Sequence, residues 1–346
     1  MKAAVLTAIR QMELTDLPDP QITQSTDVLV RISRVGVCGS DVHYYTTGRI
    51  GSQVVEFPFP VGHECAGVVQ EVGVDVANLK PGDRVAIDPA IYCGQCDQCK
   101  AGRHHTCRKL LFLGCPGQID GCLSELLVMP QECCFAIHDK MTLDQAALCE
   151  PLAIGVYAVK QSVAMTDASI GILGCGPIGL SVLLPALTQG ASRVYVTDKI
   201  DDRLRIAQAA GAYWTGNPDK QDIVSEISTE TPLLLDAVFE CCGQQEALDQ
   251  AIELLKPGGK LVLIGIPEVD RVSFSIDKIR RKEICIQNVR RQVGCVQPSL
   301  DMIDSGMDVG FMLTHRFSFA QTQDAFDLVA DYRDGVMKAM IDFDID

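Results

Sequence analysis

The rhythm of apolar positions changes once along this chain. Over residues 1–90, short apolar runs alternate with polar residues and are cut by turn residues. The segment Met1–Ala8 reads as a first strand. Asp27-Val-Leu-Val-Arg-Ile-Ser-Arg-Val35, Cys65-Ala-Gly-Val-Val-Gln-Glu-Val72 and Asp83-Arg-Val-Ala-Ile-Asp88 read as others, with a turn at Asn78–Asp83. After residue 165 the apolar runs lose their alternation and are separated by helix-length segments. Ser169–Leu173, Arg193–Thr197, Leu234–Glu240, Pro257–Gly265 (a turn, then a strand) and Glu283–Val289 predict strands buried on both faces, as in a parallel sheet. The fold class is therefore α/β: a β-rich first half, then a doubly wound parallel sheet.

The second half is organised by Ser169-Ile-Gly-Ile-Leu-Gly174-Cys-Gly176-Pro177-Ile178-Gly179, a long apolar run, and Arg193-Val-Tyr-Val-Thr-Asp198. This is strand, glycine turn, helix, strand and acid in register. Gly174 allows the sharp turn, Gly176 admits a pyrophosphate, and Gly179 lets helix pack on strand. The helix N-terminus offers free N–H groups to phosphate. Asp198, at the end of the second strand, can accept both hydroxyls of an adenosine ribose and repels a 2′-phosphate, which favours NAD over NADP. Arg203 either stacks on adenine or pairs with Asp201 or Asp202. The uncharged stretch Ala168–Ser192 also has the length of a membrane span. Pro177, Pro185 and repeated glycines argue against that reading, and Pro185 should kink the helix.

Length and charge narrow the classes. A chain of 346 residues suggests two domains. A formal net charge of −15 argues against nucleic acid and anionic membranes as partners. The opening apolar run is too short for an export signal and is stopped by Arg10. The sixteen cysteines are therefore expected as reduced thiols and metal ligands of a cytoplasmic protein.

Two groups of residues have metal-binding character. Cys93-x2-Cys96-x2-Cys99-x7-Cys107 suits a closed four-thiolate zinc site that pins a loop. Lys100, Arg103, Arg108 and Lys109 flank it and would offset its charge, and His104 and His105 are bystanders. The spacing to Cys107, followed by Arg108, does not match a ferredoxin cluster. The second group is Cys38, His63 with Glu64, and Glu150 at an apparent helix start before Pro151. One thiolate, one imidazole and one carboxylate with a water would make an open, catalytic zinc site. Each residue also has an ordinary reading: a core thiol, a turn histidine, an acid at a helix N-terminus. Cys175, Cys241, Cys242, Cys285 and Cys295 lack ligand spacing and read as packing residues.

Gly-Val-Cys-Gly-Ser-Asp-Val-His-Tyr (36–44), Gly-Arg-Ile-Gly (48–51), Gly-His-Glu (62–64), the four-cysteine lobe, Glu-Pro-Leu (150–152), the glycine turn and Thr-His-Arg-Phe (314–317) together resemble the zinc-dependent medium-chain dehydrogenases, within them the polyol branch. The resemblance spans essentially the whole chain. It implies a GroES-like catalytic domain over residues 1–150, completed by 290–346, and a Rossmann NAD-binding domain over 151–289. It implies a catalytic zinc on Cys38, His63 and either Glu64 or Glu150, so that zinc would number two per chain. In the alcohol dehydrogenase branch a cysteine matches Glu150, so Cys149 next door is not the expected ligand. Asp41 would orient His63. Ser40 would relay a proton, with His43 a next step, and Tyr44, Phe112, Glu150 and Arg290 would contact substrate. Val289-Arg290-Arg291 departs from the family's Phe-Arg-Tyr, so either arginine can take that role. Edge-to-edge pairing of the sheets implies a homodimer or homotetramer.

The chemistry implied is hydride transfer from a secondary alcohol of a polyol to NAD, giving a ketose. A related zinc dehydrogenase acting on a sugar acid or L-threonine is the near alternative. A non-catalytic NAD-binding regulator or structural protein is the distant one. Both that class and a zinc-free quinone reductase predict loss of a ligand, whereas Cys38, Ser40, His63 and Glu150 are all present.

Overall fold

The computed structural model describes residues 1–345. The chain forms two compact units, Met1–Glu150 with Val296–Asp346, and Pro151–Cys295.

In the first unit, strand Asp27–Gly36 is the hub of a seven-stranded sheet. Its alternation of Val28, Val30, Ile32 and Val35 drives one face into an apolar core with Val69, Val85, Ile87 and Ile341. Three strands pair with it antiparallel: Glu64–Val72, Leu126–Pro130 and Lys338–Asp342. Gly36 stands opposite Glu64 on one side and Met340 on the other. The register thus brings residues from the two distant segments of this unit to one place. Arg34 and Arg316 clamp the same strands by sharing the buried Asp342 carboxylate at 2.7 Å each. The Arg of the Thr-His-Arg-Phe stretch is therefore a strand clamp.

In the second unit, six parallel strands lie in the order Trp214–Gly216, Arg193–Thr197, Ser169–Leu173, Leu235–Glu240, Leu255–Leu263 and Cys285–Asn288. Numbered along the chain this is 3-2-1-4-5-6, the doubly wound dinucleotide-binding order, with its crevice beside the first strand. The turn expected at residues 257–259 is an irregularity inside strand Leu255–Leu263, whose pairing with Leu235–Glu240 jumps from Leu255 to Lys260. The uncharged stretch 168–192 is split between strand Ser169–Leu173 and helix Pro177–Thr188. Among the described residues no helix is long and apolar enough to cross a membrane.

Two helices depart from the sequence-based expectation. The helix that carries Glu150 begins at Leu143 and runs to Lys160, with Pro151 inside it. Its start is set by a capping box: Thr142 Oγ1 accepts from the Gln145 N–H at 3.2 Å, and Gln145 Oε1 accepts from the Thr142 N–H at 2.9 Å. Glu150 is therefore in a helix interior, not at a helix start. The second case is Pro185, through which helix Pro177–Thr188 continues. Proline has no N–H for the Ser181 carbonyl. That carbonyl lies where another helix comes closest: a Cβ on Gly155 would stand 1.8 Å from Ser181 O. The freed oxygen and the missing side chain share one contact, and a Cα–H of Gly155 is the available weak donor.

This contact reverses an ordinary sign. Glycine to alanine inside a helix normally stabilises by about 0.5–1 kcal/mol. Gly155→Ala is expected to destabilise by about 1–3 kcal/mol through overpacking, read as a lower denaturant midpoint. An unchanged or raised midpoint would show that the two helices are free to separate.

Candidate active site

The four-cysteine lobe closes on a single point. The sulfurs of Cys96 and Cys99, and of Cys93 and Cys107, are 3.5 Å apart. Cys96 and Cys107 are 3.9 Å apart, and Cys93 and Cys99 4.0 Å. Four sulfurs around one zinc at its usual bond length would stand about 3.8 Å apart, so the cage fits one ion. Backbone N–H groups of Cys93 and Lys109 point at the Cys107 sulfur. Those of Arg108 and Cys99 draw the Cys96 thiol down to about 6, which favours thiolate. The Arg108 guanidinium itself grips Asp97, at 2.5 and 2.9 Å. Arg108 thus serves the lobe through its backbone, while its side chain is held by Asp97. His104 stacks on Tyr92 with ring centroids 4.0 Å apart.

The second cluster forms where strand Glu64–Val72 begins beside Gly36. Ligand atoms of Cys38, His63 and Glu64 all lie within 4.8 Å of one another. Sequence reasoning left the carboxylate open between Glu64 and Glu150, and this convergent group contains Glu64. Cys38 is the residue before helix Gly39–Thr47. Ser40 Oγ in the first turn donates to the Cys38 sulfur at 3.3 Å. Asp41, fully buried, holds His63 Nδ1 at 3.3 Å and accepts the Gly62 N–H at 3.2 Å through the same oxygen. Its other oxygen is buried without a hydrogen-bond partner. Burial disfavours the His63 imidazolium, but Asp41 and Cys38 outweigh it and hold the ring well above its ordinary range. A soft thiolate, an imidazole and a carboxylate brought to one place make a zinc donor set.

The lining residues follow. The Phe112 ring packs on His63 with centroids 5.4 Å apart. Tyr44, buried, donates through its hydroxyl to Gln53 Oε1 at 3.5 Å and lies 4.0 Å from the Cys115 sulfur. Glu150 is buried, and desolvation pushes its carboxyl up to about 7, with His63 opposing and Glu64 adding to the rise. His43 sits in helix Gly39–Thr47, half-buried.

Sequence reasoning missed Lys338. Its ammonium is buried against Glu64, donating to both carboxylate oxygens at 2.7 and 2.6 Å. The available signal was a lone charge inside the apolar run Val336-Met-Lys-Ala-Met-Ile341. Glu240 was missed too: it is buried and accepts the N–H groups of Cys242 and Gly243 at 2.8 and 2.6 Å.

In the second unit the glycine turn has its expected form. Gly174 has φ +98, and a Cβ on Gly179 would stand 2.2 Å from Gly174 O. Gly176 caps the helix, with Pro177 at its first position and Ile178 in its first turn. Asp198 accepts the Cys175 N–H at 2.7 Å and the Ile200 N–H at 2.8 Å, which fixes its carboxylate at the turn. Arg203 is buried, with a guanidinium nitrogen 3.7 Å from where a Gly176 Cβ would be. Asp201 and Asp202 instead pair with Lys220 and Arg205. Arg290 is exposed and Arg291 buried.

The alcohol dehydrogenase GroES-like domain matches residues 24–139, and the zinc-binding dehydrogenase domain matches residues 177–305. The chain is 37% identical over 343 residues to sorbitol dehydrogenase of Bacillus subtilis, covering 99% of this chain and 97% of that one. The chain belongs to the zinc-dependent medium-chain dehydrogenases. This dehydrogenase is also 36% identical over 312 residues to L-idonate 5-dehydrogenase of Vitis vinifera, covering 88% of this chain and 85% of that one. Among solved structures, a protein described as a zinc-binding dehydrogenase of Sinorhizobium meliloti, bound to NADP, aligns with a TM-score of 0.90 at 29% identity, covering 99% of this chain and 98% of that one. Zinc and a nicotinamide dinucleotide are thus the cofactors of this dehydrogenase.

The two clusters should separate by variant. Cys96→Ser is expected to remove one zinc per chain and lower the melting temperature by roughly 5–10 °C. Cys38→Ser should remove the other zinc and abolish turnover with little change in melting. Elemental analysis beside calorimetry reads both, and unchanged zinc in either variant would contradict the assignment of that cluster.

Proposed function

We propose that this dehydrogenase oxidises a secondary hydroxyl of a polyol to a ketose, with NAD as the hydride acceptor. The observation that carries the reading is the Cys38–His63–Glu64 cluster with a second, buried carboxylate, Glu150, raised toward neutral pH. The similarity to sorbitol dehydrogenase supports the substrate class. When bound, zinc supplies a Lewis acid that acidifies an alcohol and the dinucleotide accepts the hydride.

The chain's own residues would divide the remaining work. Cys38, His63 and Glu64 hold the metal. Asp41 fixes the His63 ring so that its other nitrogen is offered as the ligand. Ser40 Oγ, now donating to the Cys38 sulfur, is placed to take the proton that the alcohol loses, with His43 as a next carrier. Glu150 accepts a hydrogen bond from a neighbouring hydroxyl when ionised and donates one when protonated, which suits a substrate with adjacent hydroxyls. Tyr44 and Phe112 line the site. Arg290 or Arg291 supplies a further polar contact. At the glycine turn, Gly174, Gly176 and Gly179 leave room for the pyrophosphate, Arg203 faces it, and Asp198 selects against a 2′-phosphate. Open-edge pairing of strand Cys285–Asn288 would give a homodimer or homotetramer.

A second reading is supported by the idonate-oxidising relative. A sugar acid presents the same secondary alcohol, and an arginine would pair with its carboxylate.

Initial rates with a panel of sugar alcohols, sugar acids and simple secondary alcohols test the proposal. Polyols with NAD should give the highest kcat/KM; equal or better rates with simple alcohols would defeat the polyol reading. Glu150→Gln is expected to lower polyol kcat/KM by about 10–100-fold with little effect on simple alcohols. Asp198→Ser should shift preference toward NADP, and a wild-type enzyme already faster with NADP would remove the basis for that residue's role.

A further inference from the structure

Lys338 is a lysine almost wholly removed from solvent. It is 1% exposed, and the Glu64 it pairs with is also 1% exposed. Its ammonium donates to Glu64 Oε1 at 2.7 Å, Glu64 Oε2 at 2.6 Å and Val37 O at 3.1 Å. An ammonium has three hydrogens, so these contacts occupy all of them. The pocket is built around the carboxylate: a Cβ on Gly36 would stand 2.2 Å from Glu64 Oε2. Yet an oxygen of the same carboxylate is within 4.8 Å of the Cys38 and His63 ligand atoms. One carboxylate is thus claimed by a cation of the chain and by a metal ion.

We infer that Lys338 is a positioning residue that competes with the catalytic metal for Glu64. Two effects act in the same direction. An ammionium at hydrogen-bond distance withdraws electron density from the carboxylate and weakens it as a donor. Its charge also repels a divalent cation held by that carboxylate, and low local polarity magnifies the repulsion. Cys38 and His63 are held instead by Ser40 and Asp41, at 3.3 Å each, and neither of those is a cation. Glu64 is therefore the ligand most readily released, and Lys338 is ready to receive it. The lysine lowers the affinity of the site for metal and keeps one coordination position exchangeable. This inference rests on the reading that Cys38, His63 and Glu64 hold the catalytic zinc.

The test is Lys338→Met, which keeps the length and the apolar stem and removes the charge. Zinc affinity is measured by competition with a chelator, and the stability of the chelated and zinc-loaded forms is compared. The variant is expected to bind zinc on the order of tenfold or more tightly, to lose stability mainly in the chelated form, and to change the visible spectrum of the cobalt-substituted site. Unchanged or weaker zinc binding, or equal loss of stability in both forms, would overturn the inference. Lys338→Gln, which can still donate to Glu64 without a charge, should tighten zinc in the same direction if the methionine variant does not fold. In a Glu64→Gln background, Lys338→Met should no longer tighten zinc; the same gain there would show that competition for Glu64 is not the cause. Cys38→Ser separates the two levels of the argument. If that variant keeps its full zinc content, the metal site itself is misassigned. If it loses one zinc while Lys338→Met changes nothing, the site stands and the competition fails.

Discussion

Charge burial is the constraint on which the first unit is built. Asp41, Glu64 and Glu150 are buried around the His63 imidazole. An isolated carboxylate taken out of water is strongly unfavourable unless it is paired or neutralised. Each acid here meets that requirement in its own way. Glu64 is paired with Lys338, Asp41 faces His63, and Glu150 is driven toward its neutral form. A divalent ion among the thiol, the imidazole and Glu64 would add to the positive side of the same balance. The geometry of the sheet follows from it. Strand Lys338–Asp342 must lie beside Asp27–Gly36 for the lysine to arrive, and Gly36 must lack a side chain for Glu64 to turn inward.

What could be read from the sequence was what is encoded locally. The glycine turn and Asp198 belong to one strand–helix–strand unit, and the Cys93–Cys107 lobe to a single loop, so spacing alone located both. The seven-stranded hub was legible as separate strands, because alternation in Asp27–Val35 and Cys65–Val72 reports burial on one face. It was not legible as a hub, since nothing in those runs names their partners. Glu64 and Glu150 could not be ranked, because the difference between them is a distance. Lys338 went unread because its partner lies far away in the chain. The start of the Glu150 helix was misplaced for a local reason: Pro151 resembles a first helical position, and the box made by Thr142 and Gln145 was overlooked. Pro185 was read as a defect, and the defect is shared by two helices, with Gly155 placed against the carbonyl that the proline leaves free.

The distance in sequence between Glu64 and Lys338 has a consequence during synthesis. They are 274 residues apart, with the whole parallel-sheet unit between them. At about 5–20 residues per second, a ribosome releases the glutamate roughly 14–55 s before the lysine. Through that interval strand Asp27–Gly36 lacks one neighbour, and Glu64 has no ammonium beside it. Cys38 and His63 are already present. A divalent ion that reached Cys38, His63 and Glu64 in that interval would find the carboxylate without its ammonium; one that arrived later would find it already paired.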